Sequence, residues 1–275
     1  MTARTSCALG ELIFIGLGLY DEQGLSLRGQ AEARTCDRVF AELYTSVMPG
    51  FGIERLARII GKPVEILSRE DVEEKAEDKI LSKAKSERVA FLVAGDPMVA
   101  TTHVDLRLRA HRAGIQTRII HGASVASAAA GTTGLQSYKF GKTITVPFVM
   151  GEAPPESVYA ALRVNMGARL HSLVLLEVNV ETKNHVTIRQ ALEGLLSLAA
   201  RTQNPAIKPE TLVVGIARLE APDMIVHAAA ISELMQVDFG KPPHCLIFPS
   251  TLHFVEAEAL QVFCGARKDL VSQEH

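Results

Sequence analysis

Apolar residues recur along the first half of this chain in two alternating textures. LIFIGLG (12–18), RVFAELY (38–44), VEILS (64–68), RVAFLVAG (88–95) and TRIIH (117–121) are short apolar runs and read as strands. SLRGQAEART (26–35), GIERLARII (52–60), EDVEEKAEDKILSKAK (70–85) and TTHVDLRLRAHRA (101–113) lie between them and read as helices. Ser68 before Asp71 gives the third helix a capping-box start, and Gly61 and Gly114 stand where left-handed caps end two others. Strands that are apolar throughout, rather than alternating, are those covered on both faces. The alternation therefore predicts a mostly parallel sheet with helices on both sides.

Near residue 121 the texture changes. HGASVASAAAGTTGLQSYKFG is a small-residue segment suited to a closely packed helix that enters a second unit. Beyond it TITVPFVM (143–150), SLVLLEVNV (172–180), TLVVGIARL (211–219) and HCLIFPS (244–250) read as strands. ESVYAALRVNM (156–166), TIRQALEGLLSLAA (187–200), MIVHAAAISELMQ (224–236) and HFVEAEALQVFC (253–264) read as helices. The expected fold class is α/β in two domains, 11–121 and 122–275.

Composition narrows the function classes. With 47% hydrophobic and 22% charged residues over 275 positions, the chain has material for substantial cores. A formal net charge of −2 argues against non-specific nucleic-acid binding. Trp is absent, and Cys7, Cys36, Cys245 and Cys264 form no CxxC pair, so a reducing compartment is expected. MTARTSCALG lacks the apolar core of a secretory signal, and the longest uncharged stretch is too rich in Gly, Ser and Thr to span a bilayer. A cytoplasmic protein with no membrane partner follows as the expectation.

Three stretches invite chemistry. FIGLGLYDEQG places Gly16 and Gly18 after a strand, but the third glycine of a dinucleotide fingerprint is replaced by Asp21, which disfavours a dehydrogenase. Gly141-Lys142-Thr143 copies the end of a P-loop, yet Gln136 stands at its first glycine and a strand follows. His103, His111 and His121 lack the spacing of metal ligands and read as solvated or capping, so no metal is expected. Arg107, Arg109, Arg112 and Arg118 read as a solvated helix face, with docking of a protein as the lesser alternative. AGDPMVATT (94–102) carries more. In a parallel sheet, ligands bind beyond the carboxyl ends of strands, where Gly95 allows close approach and Pro97 fixes the turn. Asp96 there serves either a ligand or the cap of the following helix, and spacing leaves both readings open.

IGLGLYD (15–21), FAELYTS (40–46), LSREDVE (67–73), GDPMVATTH (95–103), TGLQSYKFGK (133–142), DFGKPPH (238–244) and LHFVEAEAL (252–260) together resemble the diphthine synthase family. That family sits within the tetrapyrrole-methylase-like class of S-adenosylmethionine methyltransferases. The resemblance implies two α/β domains with the cofactor in the inter-domain cleft, usually in a homodimer. It implies N-methylation of the 3-amino-3-carboxypropyl-modified histidine of translation elongation factor 2, giving diphthine. A class member acting on a tetrapyrrole or other small molecule is the alternative. Carried over by motif, the cofactor contacts are Leu19, Asp96, Val99, Ser124, Val125, Leu176, Ala217 and His244, with Gly16, Gly18, Gly95 and Pro97 shaping the walls. No catalytic residue is assigned, although Glu42, Tyr44, Thr45 and Glu70 stand near strand ends where an acceptor is expected.

Overall fold

The computed structural model describes residues 10–148, 153–180 and 182–272. The chain divides into two compact units, Met1–Ser124 and Val125–His275.

In the first unit β1 (Glu11–Gly16), β2 (Arg38–Glu42), β3 (Glu65–Leu67), β4 (Arg88–Val93) and β5 (Gln116–Ile120) lie in the order β3-β2-β4-β1-β5. Every pairing is parallel, with Glu11 opposite Arg88 and Gly16 opposite Val93. The helices are α1 (Leu27–Thr35), α2 (Ile53–Ile60), α3 (Arg69–Glu73), α4 (Ser82–Ala84) and α5 (His103–Arg112). Ile13, Ile15 and Leu17 share a core with Ala33, Leu56 and Ile60, whereas Leu12 and Phe14 share one with Val72, Ile80, Leu106 and Ala110. Thus α1 and α2 cover one face, and α3 to α5 the other. The capping box at Ser68 and Asp71 forms, and Gly61 takes the left-handed conformation (φ +79°).

The helix expected over 70–85 is broken. A π-helical turn, Glu77–Leu81, separates α3 from α4. That turn carries Ile80 and Leu81, both buried in the core.

In the second unit β6 (Ile144–Val146), β7 (Ser172–Leu176), β10 (Leu212–Ala217), β11 (Ile225–Ala230) and β12 (His244–Phe248) are ordered β11-β10-β12-β7-β6. A small hairpin pairs β8 (Val178–Asn179) with β9 (Asn184–His185). All sheet pairings are antiparallel except β6 with β7. Helices α6 (Val125–Thr133), α7 (Glu156–Gly167), α8 (Ile188–Ala200), α9 (Ile231–Leu234), α10 (Phe254–Cys264) and α11 (Lys268–Val271) complete the unit. Leu162, Leu192, Leu195, Val213, Leu246 and Phe248 anchor its core.

Two expectations are corrected. Residues 225–230, read as helix, form β11, because pairing with β10 outweighs the helix preference of Ala228 to Ala230 and buries those small side chains. The strand read over 143–150 stops at Val146, where Pro147 removes a ladder donor. Val149 and Met150 lie outside the described residues.

Candidate active site

The site of the first unit starts from a crossing of connections. The chain leaves β1 towards α1 on one face and leaves the adjacent β4 towards α5 on the other, a switch point of the kind beyond which parallel sheets bind ligands. The two departing loops are tied together, since Gly18 N donates to Gly95 O at 3.3 Å and Gly95 N to Gly18 O at 2.7 Å. A third loop, after β5, touches them. A Cβ placed on Gly16 would lie 2.5 Å from both Gly122 N and Gly95 O, and one on Gly122 would lie 2.4 Å from Gly95 O. At positions 16 and 122 only glycine fits this junction. Gly95 also adopts φ +71°, which a side chain disfavours.

The junction gathers Leu19, Asp96, Val99 and Ser124. Leu19 follows Gly18 and is half-buried, Val99 is exposed on the loop after β4, and Ser124 is buried at the end of the loop after β5. Asp96 is not the cap of α5. That helix begins at His103, behind Thr102, and Asp96 Oδ1 instead accepts from Met98 N at 2.9 Å. The other carboxylate oxygen, Oδ2, lies 2.7 Å from Nδ1 of His121, the residue that follows β5. The loop is braced from beneath by His103, whose Nδ1 bonds Pro97 O at 3.2 Å and whose ring stands edge-on to Phe91 at 5.2 Å. Burial pushes the His103 imidazole down to about 4, so it is neutral in ordinary buffers.

Sequence reasoning classed His103 and His121 as solvated or capping. His103 is fully buried, and His121 is exposed but partnered by a buried carboxylate. The position of His121 at the end of a strand neighbouring the GDP loop was the available signal.

In the second unit the carried-over residues also meet. Ala217, ending β10, pairs with His244, opening β12, and the pairing of Cys245 with Leu175 sets Leu176 beside His244 on the other flank. Val125, half-buried, opens α6 and is not part of that row. His244 is 6% exposed, neither ring nitrogen has a hydrogen-bond partner, and burial holds its pKa below the usual imidazole range. It borders a cavity of about 360 Å³ walled by the apolar Ile188, Met235 and Phe239 and by the polar Arg189, Gln236 and Asp238. The approach to His244 is fixed by Arg218, which donates to Phe239 O (2.6 Å), Lys241 O (2.7 Å) and Asp223 Oδ2 (2.7 Å). Arg218 (φ +50°) and Ala100 (φ +56°) hold the left-handed conformation next to Ala217 and Val99, a strain typical of ligand-shaping segments.

Of the residues placed near an acceptor, Glu42 is fully buried. Its carboxyl accepts from Tyr44 N (3.1 Å), Thr45 N (3.2 Å) and Thr45 Oγ1 (2.6 Å), while burial raises its pKa. Glu70 is exposed and paired with Lys75 at 2.7 Å. The decoys resolve as well. Asp21 caps a 3-10 turn through Gln23 N, and α1 starts only at Leu27. Lys142 N and O are both bonded by the Asn165 amide, with a strand following. Arg107, Arg109 and Arg118 are committed to Thr117, to Glu77 and Asp105, and to Glu11 and Glu32.

A two-unit α/β chain with a glycine junction of this kind matches, over residues 11–233, the family of tetrapyrrole (corrin/porphyrin) methylases. The class is thus that of methyltransferases. The diphthine synthase of Methanocella arvoryzae is 46% identical over 256 residues, covering 93% of this chain and 99% of that protein. That of Methanothermobacter thermautotrophicus is 43% identical, covering 95% and 98%. A crystal structure of diphthine synthase agrees with a TM-score of 0.85 at 37% identity, covering 94% of this chain and 98% of that one. The chain belongs to the diphthine synthase family.

Proposed function

We propose that this protein transfers methyl groups from S-adenosylmethionine to the amino group of a 3-amino-3-carboxypropyl-modified histidine on elongation factor 2, within diphthamide biosynthesis. The observation that carries this reading is the near end-to-end identity of 43–46% with diphthine synthases. The residues present suit the methyl donor. The unpartnered nitrogens of His244, beside a cavity of mixed apolar and polar lining, fit a planar base bearing donors and acceptors. Gly95, beside whose Cβ position no atom lies nearer than 3.9 Å, leaves backbone open to the close approach of a ligand. Leu19, Asp96, Val99 and Ser124 in the first unit, and Val125, Leu176, Ala217 and His244 in the second, are proposed as its contacts.

Bound there, the donor supplies an electrophilic methyl carbon on a sulfonium. The chain contributes orientation and the exclusion of water. Incubation with S-adenosylmethionine and elongation factor 2 carrying the amino-carboxypropyl group should add mass in steps of one methyl. No mass gain on a verified intermediate would refute the acceptor. Calorimetry with S-adenosylhomocysteine tests the donor separately. A homodimer is also proposed, readable by sedimentation. No helix among the described residues is long and apolar enough to cross a membrane.

A further inference from the structure

We propose that His121, oriented by Asp96, is the proton acceptor for the substrate amine. This rests on the acceptor reading given above.

The chemistry creates the demand. An alkyl amine is largely protonated near neutral pH, and an ammonium has no lone pair to offer a methyl carbon. Each methyl added to a primary or secondary amine also regenerates an ammonium. One proton must therefore leave for every methyl that arrives. A solvent-facing base fixed at the strand ends meets this need once per cycle and can discharge to water between cycles.

His121 is the imidazole built for it. Its side chain is 69% exposed, whereas its partner Asp96 is 5% exposed. A carboxylate only accepts, so the 2.7 Å contact assigns the proton to Nδ1 and leaves Nε2 with the free lone pair. The orienting acid is itself held, because Asp96 Oδ1 is bound to Met98 N and the loop is braced through Pro97 O by both Thr101 Oγ1 (2.9 Å) and His103. The dyad stands at the ends of β4 and β5, on the two strands that flank β1 and its glycine turn. Among the described residues, the other histidines facing carboxylates are unsuited. His103 near Glu42 (3.6 Å) and His171 with Glu256 (3.0 Å) are both fully buried.

The step balances. The ammonium N–H bond breaks with its electron pair left on nitrogen, and the proton forms a new N–H bond at His121 Nε2. The freed pair then forms the N–CH₃ bond while the C–S bond breaks, its pair going to sulfur. The imidazolium, with Nδ1–H against the Asp96 carboxylate, returns its proton to water.

Three measurements test this. Nitrogen-15 spectra of the ligand-free protein should show His121 as the Nδ1–H tautomer, and Asp96→Asn should abolish that preference. His121→Asn and His121→Ala should bind S-adenosylhomocysteine within about twofold of wild type, while kcat falls about 100-fold, the scale of general-base loss. Added imidazole should restore turnover of His121→Ala, and pyrazole, of the same shape but far weaker basicity, should not. Wild-type turnover in either variant overturns the proposal, as does a loss that imidazole cannot restore or that pyrazole restores equally. A wild-type protein that binds S-adenosylhomocysteine but methylates no verified substrate defeats the acceptor reading itself and this step with it.

Discussion

At the scale of single residues, Asp96 shows how one side chain serves two ends. Spacing from the helix left open whether it caps or binds, and the late start of α5 removes the cap. Asp96→Ala is expected to weaken S-adenosylhomocysteine about 10- to 100-fold, the worth of one charge-assisted hydrogen bond, with little change in melting temperature. Calorimetry showing wild-type affinity would sink that expectation. His103, braced beneath the same loop, makes a pH prediction. Burial lowers its pKa from 6.5 to about 4, so between those values the unfolded chain takes up a proton that the folded chain refuses. Its contribution to stability is whole above 6.5 and declines as pH falls towards 4. Urea midpoints of His103→Gln should therefore fall less steeply across that window than those of wild type. The ligand reading of Asp96 was open in the sequence, but its partner His121 and the burial of His103 were not, since contacts distant in the chain decide both.

At the scale of elements, two of the family blocks in the second unit meet at one buried carboxylate. Glu256 on α10 is fully buried and accepts from Gln136 N (2.9 Å), His253 N (2.8 Å) and Lys139 Nζ, with His171 Nε2 at 3.0 Å. It ties TGLQSYKFGK to LHFVEAEAL. Burial alone would raise this carboxyl, but those donors hold it down at about 2. The stability it provides is complete above about 4.5 and is lost as acidification approaches 2. Glu256→Ala should cost about 3 kcal/mol at neutral pH, read by denaturant unfolding, because it strands buried donors and the Lys139 charge. Elements with one strong period were legible: the five parallel strands match their apolar runs within a few residues. β11 was not. Its alanines look helical in isolation, and only the neighbour β10 makes them strand.

At the scale of the whole molecule, the alternation of strand and helix revealed the parallel first unit, and the mixed second half revealed only its class. Strand order escaped the sequence, because the insertion of β4 between β2 and β1 depends on pairings between distant segments. That same ordering brings positions 16, 95 and 122 together, and it leaves a mark that a saturation library can read. Positions 16 and 122 are limited by space, their would-be Cβ atoms falling within 2.5 Å of backbone. Even alanine should be purged there. Position 95 is limited by torsion instead, with no atom nearer than 3.9 Å to a Cβ. Asparagine and aspartate, which tolerate that torsion, should survive at 95 in cells selected for folded protein. Three codons scattered over more than a hundred triplets would then display two separate grammars of tolerance, one volumetric and one conformational.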